Sequence, residues 1–251
     1  MVHTRSNHEI EKISRSCQIV ADTLIMLEKH IVDGVCVSDL DKMAEEYIIS
    51  EGARPAFKGY MGFPATLCVS IEDAVVHGIP GEDILKQGQI VGIDCGAELD
   101  GYYGDHARSF AVGDISSDKK KLLEVTKESL LKGIKQAVPG NYVGDIGRAV
   151  QDHAENNGFS VVRELVGHGI GTSLHEEPQI PNYGKANQGY KLRSGMCIAI
   201  EPMINSGSRE VFTSSDGWTI LTKDGEPSAH FEHTIAITDE GPRILSVGSD
   251  G

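Results

Sequence analysis

Two similar halves, each opening on a pair of helices and running on into strands, predict an α+β fold for this chain. Three observations carry that reading. Gly34-Val35-Cys36-Val37-Ser38-Asp39-Leu40 recurs 106 residues later as Gly140-Asn141-Tyr142-Val143-Gly144-Asp145-Ile146, and the stretch LKQGQIVGID from Leu85 to Asp94 recurs at a shift of 107 as LRSGMCIAIE from Leu192 to Glu201. Ile10, Ile13, Cys17, Val20, Leu24, Leu27 and Ile31 form one apolar stripe at helical spacing. Asp100-Gly101, between two strand-like runs, is the strongest short signal for a hairpin.

The elements follow in order. Ser6 and Glu9 have the form of a capping box at the head of the first helix. A second helix is expected from about Ser38 to Ile49, opened by a Ser-x-x-Asp pattern. Their copies are expected at Lys119 to Val138 and Val143 to Asn156, and the helical stretches that follow the repeated heptapeptide close on Gly52 and Gly158. The run QIVGIDCGAELDGYYGDHARSFAV reads as two strands joined at Asp100-Gly101, so a two-residue turn sets Leu99 opposite Tyr102 and Gly96 opposite Asp105. Asp94 then shares a face with Gly96, and the two aspartates point the same way. Gly92 and Gly96 on that face are expected to leave room for a ligand. No linker or low-complexity tract divides the 251 residues, which suffice for a sizeable core.

Asp94, Asp105, His168, Glu201 and Glu232 lie in or at the ends of these strand-like segments. Carboxylates in apolar strands repel one another and are costly to bury, and the one cation close to them in sequence is Arg108. Two divalent cations would cancel four carboxylates, and an oxygen-rich set with one imidazole suits Mn, Fe, Co or Zn. His168 stands in GHGIG, where flanking glycines imply close backbone approach. His77 in VVHGIP and His175 in HEEP are candidate acid-base or carbonyl-binding groups. A net charge of -14 speaks against a nucleic-acid footprint. Five widely spaced cysteines without a CxxC point to a reducing, cytoplasmic setting, and no apolar run approaches a membrane span.

The ordered set HGIP, IDCGAELDGYYGD, GHGIGTSLHEEP, IEP and FEHT resembles the type I methionine aminopeptidases of the pita-bread metallopeptidase fold, over essentially the whole chain. The resemblance implies two pseudo-symmetric αα-β halves around a central curved antiparallel sheet, in a single catalytic domain over residues 1–251 duplicated at about 7–112 and 117–240. It implies a centre of two divalent metal ions (Co, Mn, Fe or Zn), bridged by Asp105 and Glu232, with Asp94 on one ion and His168 and Glu201 on the other. A hydroxide between the ions would attack the carbonyl after an N-terminal methionine, with Glu201 moving the proton. His175 would stabilise the oxyanion and His77 would contact the scissile amide. Tyr60, Phe63, Cys68, Leu174 and Trp218 would surround the methionine side chain. Phe57 and Leu174 stand where bacterial relatives often carry Cys and Phe, which bears on specificity. The implied substrate is a peptide or nascent polypeptide, handled by a cytoplasmic monomer of the short bacterial form with transient ribosome association. Two rival readings are a proline-specific peptidase of the same fold, which usually carries a large N-terminal domain, and a binding protein of that fold without metal.

Overall fold

The computed structural model describes residues 2–249. Helix α1 (Asn7–Glu28) and helix α2 (Val37–Ser50) lead into strands β1 (Arg54–Pro55), β2 (Leu67–Ile71), β3 (Ala74–Val76), β4 (Ile90–Leu99) and β5 (Tyr102–Ala111). Helices α3 (Ser117–Gln136) and α4 (Val143–Asn156) open the second half. Strands β6 (Ser160–Val161), β7 (Gly167–Gly169), β8 (Glu176–Ile180), β9 (Cys197–Ile200), β10 (Met203–Asn205), β11 (Val211–Thr213), β12 (Ile220–Thr222), β13 (Ser228–His230), β14 (His233–Thr238) and β15 (Gly241–Ile244) complete it. The paired strands all run antiparallel.

Each helix forms for a local reason. In α1 the Ser6 N–H donates to Glu9 Oε2 at 2.8 Å while Glu9 N–H donates to Ser6 Oγ at 3.4 Å, the expected capping box. Its stripe from Ile10 to Leu27 is buried. Gly104 of β5 lies directly under the helix backbone at Ser16 and Cys17, where a methyl group would overlap it, and Ser16 Oγ donates to Tyr102 O at 2.9 Å. The cap expected for α2 does not form. Cys36 stands at the N-cap without a side-chain cap bond, and Asp41 instead accepts from Thr66 N and Leu67 N at 3.0 and 2.8 Å. A carboxylate facing two free N–H groups of a neighbouring loop is better satisfied there than within its own first turn.

The halves repeat their hydrogen bonds. Gly34 N donates to Leu85 O at 2.9 Å and Gly140 N to Leu192 O at 3.0 Å; Val37 N donates to Asp83 O and Val143 N to Tyr190 O, both at 3.0 Å. The repeated glycines have left-handed backbones, with φ of 89° at Gly34 and 99° at Gly140, which explains why glycine recurs at both.

The hairpin has the expected register, Leu99 opposite Tyr102 and Gly96 opposite Asp105. Asp100 and Gly101 both have positive φ, 54° and 84°, as a type I′ turn requires. The second large sheet runs β15-β14-β9-β7-β8. It meets the first along β5, where Glu232 N donates to Ala107 O at 2.9 Å and Thr234 Oγ1 to Asp105 O at 2.8 Å. Among the described residues no helix is long and apolar enough to cross a membrane.

Candidate metal centre and substrate cleft

The five expected ligands converge from both sheets. Asp94 and Asp105 come from β4 and β5, and His168 is the central residue of β7. Glu201 directly follows β9 and Glu232 directly precedes β14; because His233 pairs with Ile200, the next position along sets Glu232 opposite Glu201. Ligand atoms of Asp105, His168 and Glu232 all lie within 4.8 Å of one another. His168 Nε2 is 3.5 Å from Glu201 Oε1 and 3.8 Å from Asp105 Oδ2.

The glycines around His168 do what GHGIG implies. A side chain at Gly167 would strike the Ala199 carbonyl of β9, and one at Gly169 the Glu177 carbonyl of β8. The β7 backbone is therefore pressed between its neighbours, and His168 projects from a rigid position. The other pair of glycines corrects an expectation. A Cβ at Gly96 would sit 2.5 Å from Phe57 Cε1, and one at Gly92 would sit 3.4 Å from Ser109 Oγ. The space over Gly96 belongs to the Phe57 ring, while a Cβ at Gly92 would only touch Ser109; the room beside Gly96 is taken by a cleft-lining side chain, and Asp94 itself faces the open cleft.

Electrostatics tests whether a cation fits. Burial, then repulsion from the other carboxylates, pushes Asp105, Glu201 and Glu232 well above the usual carboxylate range, and burial raises Asp94 to about 7. Asp94 Oδ1, Asp105 Oδ1 and Glu232 Oε1 are buried without a hydrogen-bond partner. His168 is held neutral, its pKa lowered by burial to about 3, and its Nδ1 lies 2.9 Å from the Gly169 carbonyl oxygen. A carbonyl can only accept, so Nδ1 carries the hydrogen and the Nε2 lone pair faces two carboxylates. Lone pairs meeting lone pairs in a buried space need a positive charge between them. The donor set fits a divalent transition metal, and Arg108 is not its counter-ion, for it pairs with Glu28 at 3.2 Å.

A cleft of about 170 Å³ joins this cluster to an apolar wall. Tyr60, Phe63, Cys68, Leu174 and Trp218 all line it, as do His77 and His175 and the residue Phe57. Phe63 and Trp218 meet edge to face at 5.1 Å between ring centroids, so the single tryptophan is half-buried against the pocket. The Cys68 thiol is pushed well above its ordinary pKa by burial and by Asp94, and it presents a neutral surface. A second cleft shares His77, His168, His175 and Glu201 with the first and continues past Glu177 and Gln179 to solvent. His77 has the left-handed φ of 59°, an unfavourable conformation for a non-glycine residue at a site.

Two contacts were not legible in the sequence. Tyr60 Oη lies 2.9 Å from His175 Nδ1, so Tyr60 holds a neighbouring site residue as well as lining the pocket. His230 is buried with Nε2 unpartnered, 3.9 Å from Glu201 Oε2. The pairs are 115 and 29 positions apart, and only the fold joins them.

A buried carboxylate-imidazole cluster opening onto an apolar cleft of side-chain size is the arrangement of a metal-dependent hydrolase. The chain belongs to metallopeptidase family M24, whose model matches residues 11–239. Within that family it groups with the methionine aminopeptidases: it is 52% identical over 246 residues to methionine aminopeptidase 1 of Bacillus subtilis (strain 168), covering 98% of this chain and 99% of that protein. The crystal structure of methionine aminopeptidase from Rickettsia prowazekii superposes with a TM-score of 0.97 at 41% identity, covering 98% of this chain and 100% of that one. The Thermotoga maritima methionine aminopeptidase structure does so with a TM-score of 0.97 at 44% identity and the same coverage, 98% and 100%.

Proposed function

We propose that this chain removes the N-terminal methionine from peptides and nascent proteins, preferring a small second residue, with two divalent ions (Co, Mn, Fe or Zn) in the cluster. The observation that carries the reading is the convergence of four buried carboxylates and the free Nε2 lone pair of His168 beside a neutral pocket of aromatic rings, leucine and thiol. Asp94, Asp105, His168, Glu201 and Glu232 would hold the ions. The whole chain would act as one catalytic domain, duplicated at about 7–112 and 117–240, and the matched hydrogen bonds of the halves support that division. We also place it in the cytoplasm as a monomer with transient ribosome association.

Bound metal ions supply an activated water and polarise the scissile carbonyl. The residues do the rest. The pocket takes the methionine side chain, because rings and sulfur make soft contacts with a thioether while a charged side chain would be stranded there. Glu201 accepts the proton of the attacking water and passes it on. His175 has Nδ1 2.9 Å from the Tyr60 hydroxyl; with that hydroxyl donating, the imidazole would carry its hydrogen on Nε2 and give it in a hydrogen bond to the carbonyl oxygen as charge develops. Burial lowers the pKa of both His175 and His77, so both are neutral donors at pH 7. His77 hydrogen-bonds the scissile amide and steadies the leaving nitrogen.

The test is a peptide panel on chelated protein resupplied with each metal. Release of methionine from Met-Ala-Ser, with little from Met-Lys-Ser or from Ala-Pro and Leu-Pro peptides, is expected. Equal rates for first-position Met, Leu, Lys and Glu would overturn the specificity, and preferential cleavage before proline would favour the proline-specific reading.

A further inference from the structure

Between the end of β7 and the start of β8, residues 170–175 run without regular structure, and they carry Leu174 and His175 into the cleft. Backbone bonds to neighbouring strands hold its first two residues, Ile170 N to Cys197 O and Tyr103 N to Gly171 O, so residues 172–175 need another anchor to hold a catalytic ring within the fraction of an ångström that directed hydrogen bonding demands. That anchor is the Glu176 carboxylate. Its Oε1 accepts from Thr172 N at 2.9 Å, Ser173 N at 3.1 Å and Thr172 Oγ1 at 3.2 Å, drawing the loop into a closed turn.

The carboxylate is itself held by a residue at the other end of the chain. Arg5 Nη2 lies 2.6 Å from both oxygens of Glu176, and the two side chains are only 8% and 10% exposed. The guanidinium fills the space over Gly171, where a methyl group would overlap it. Arg5 is fixed in turn: its N–H donates to Gly195 O at 2.7 Å in the turn before β9, and the next residue, Ser6, caps α1. The Gly171 carbonyl accepts from Tyr103 N at 2.8 Å, so both ends of the loop are secured. Nothing in the reaction as described above uses Arg5, which does not line the cleft.

We propose that Arg5 is a positioning residue for the reaction, acting through Glu176 to fix the loop that presents His175. The proposal rests on the role given above to His175. Removing Arg5 leaves a buried carboxylate without its counter-charge, and Glu176 then turns toward water and releases Thr172 and Ser173. His175 keeps its contact with Tyr60 but loses its fixed distance from the substrate carbonyl.

The experiment is steady-state kinetics of metal-loaded Arg5→Ala, Arg5→Lys, Glu176→Gln and His175→Ala on Met-Ala-Ser, with the Arg5→Ala/His175→Ala double variant closing the cycle. For Arg5→Ala, kcat is expected to fall roughly 10- to 100-fold with KM changed by less than about threefold and metal content unchanged. Arg5→Lys is expected to recover part of the loss, because an ammonium restores the charge without the planar guanidinium's packing over Gly171. In the His175→Ala background the Arg5 substitution should cost little more. Folded Arg5→Ala with wild-type kcat overturns the proposal, as does a full additional loss in the double variant. Should Arg5→Ala fail to fold, Glu176→Gln decides, since its amide oxygen still accepts from the loop while the charge is gone; a wild-type kcat there, or failure of every variant to fold, assigns Arg5 to fold stability alone. Near-normal turnover of His175→Ala with a large Arg5→Ala defect would instead refute the role of His175.

Discussion

The protonation state of the carboxylate cluster makes a quantitative prediction about metal loading. Ordinary carboxylates are ionised at pH 7 and release no proton when a cation arrives. Here Asp94 sits at about 7, while Asp105, Glu201 and Glu232 are raised well above the usual range, so the metal-free cluster holds protons at neutral pH. His168, lowered to about 3, has none to give. Titrating chelated protein with Mn²⁺ at pH 7 should therefore expel on the order of one proton or more per molecule, read from the difference in calorimetric heat between phosphate and Tris buffers. The same protons set the pH dependence of stability. A raised carboxylate pKa means that the native state binds more protons than the unfolded chain, so metal-free stability falls as pH rises. The buried neutral histidines oppose this, His168 and His230 at about 3, His233 at about 4 and His77, His106 and His175 lowered as well, and their effect fades only as the unfolded imidazoles lose their protons up to about pH 7.5. Above about pH 7.5 the carboxylates dominate. Each extra native-state proton contributes a slope of about 1.4 kcal/mol per pH unit, or roughly 3 to 6 °C in Tm for a chain of this size. Metal-free protein should accordingly melt lower at about pH 8.5 than at about pH 7.5, and saturating Mn²⁺ should abolish the slope while raising Tm. Equal heats in the two buffers together with a flat metal-free Tm over that window would refute the picture of a crowded, proton-holding cluster.

Glu201→Gln keeps the shape of the side chain but loses a charge and a proton acceptor, so turnover should drop on the order of 100-fold or more in stopped assays on Met-Ala-Ser; a loss below about tenfold would remove Glu201 from proton transfer. His175→Ala should lower kcat by a comparable factor with metal content, read by elemental analysis, unchanged. Gly96→Ala places a methyl 2.5 Å from Phe57 Cε1 and should cost about 1–3 kcal/mol in urea melts, a cost that Phe57→Ala in the same chain relieves. Trp218→Ala removes the ring that meets Phe63 at 5.1 Å and should narrow the preference for Met over Leu or norleucine at the first position, measured as a ratio of kcat/KM; an unchanged ratio would show that the ring does not select.

Local signals were enough for the scaffold. The α1 stripe, the Ser6–Glu9 box and the Asp100-Gly101 turn each depend on residues a few positions apart, and strand parity then carried Asp94 and Asp105 to one face. Where competition between neighbours decided, sequence was silent. Asp41 could cap its own helix or satisfy the N–H groups of Thr66 and Leu67, and only the packed structure shows that the second wins. Gly96 showed that a space existed on the Asp94 face without showing that the Phe57 ring fills it. Arg5 and Glu176, 171 positions apart, carried no signal at all, because a buried ion pair looks in sequence like two surface charges.

The register explains why the duplicated scaffold carries an unsymmetrical site. The shift of 107 that takes Asp94 to Glu201 takes Ile93 of β4 to Ile200 of β9. Across from them, Ile93 pairs with Arg108 and Ile200 with His233, so Arg108 and His233 occupy equivalent places, and one position back so do Ala107 and Glu232. Those two equivalents touch: Glu232 N donates to Ala107 O at 2.9 Å, which marks where the halves face each other. Strict symmetry would therefore put the second carboxylate of the first half at position 107. It stands instead at Asp105, two residues along the same face of β5, which keeps the side chain pointing at the cluster while sliding it along the strand. At that place Asp105 comes within ligand distance of both Glu232 and His168, and β7 supplies the imidazole from the second half. Two carboxylates facing each other across a symmetry axis would make two equal sites. Displacing one of them and adding an imidazole to one side makes the donor set unsymmetrical, which under the proposed reading suits a substrate with a free amine at one end and a peptide carbonyl at the other.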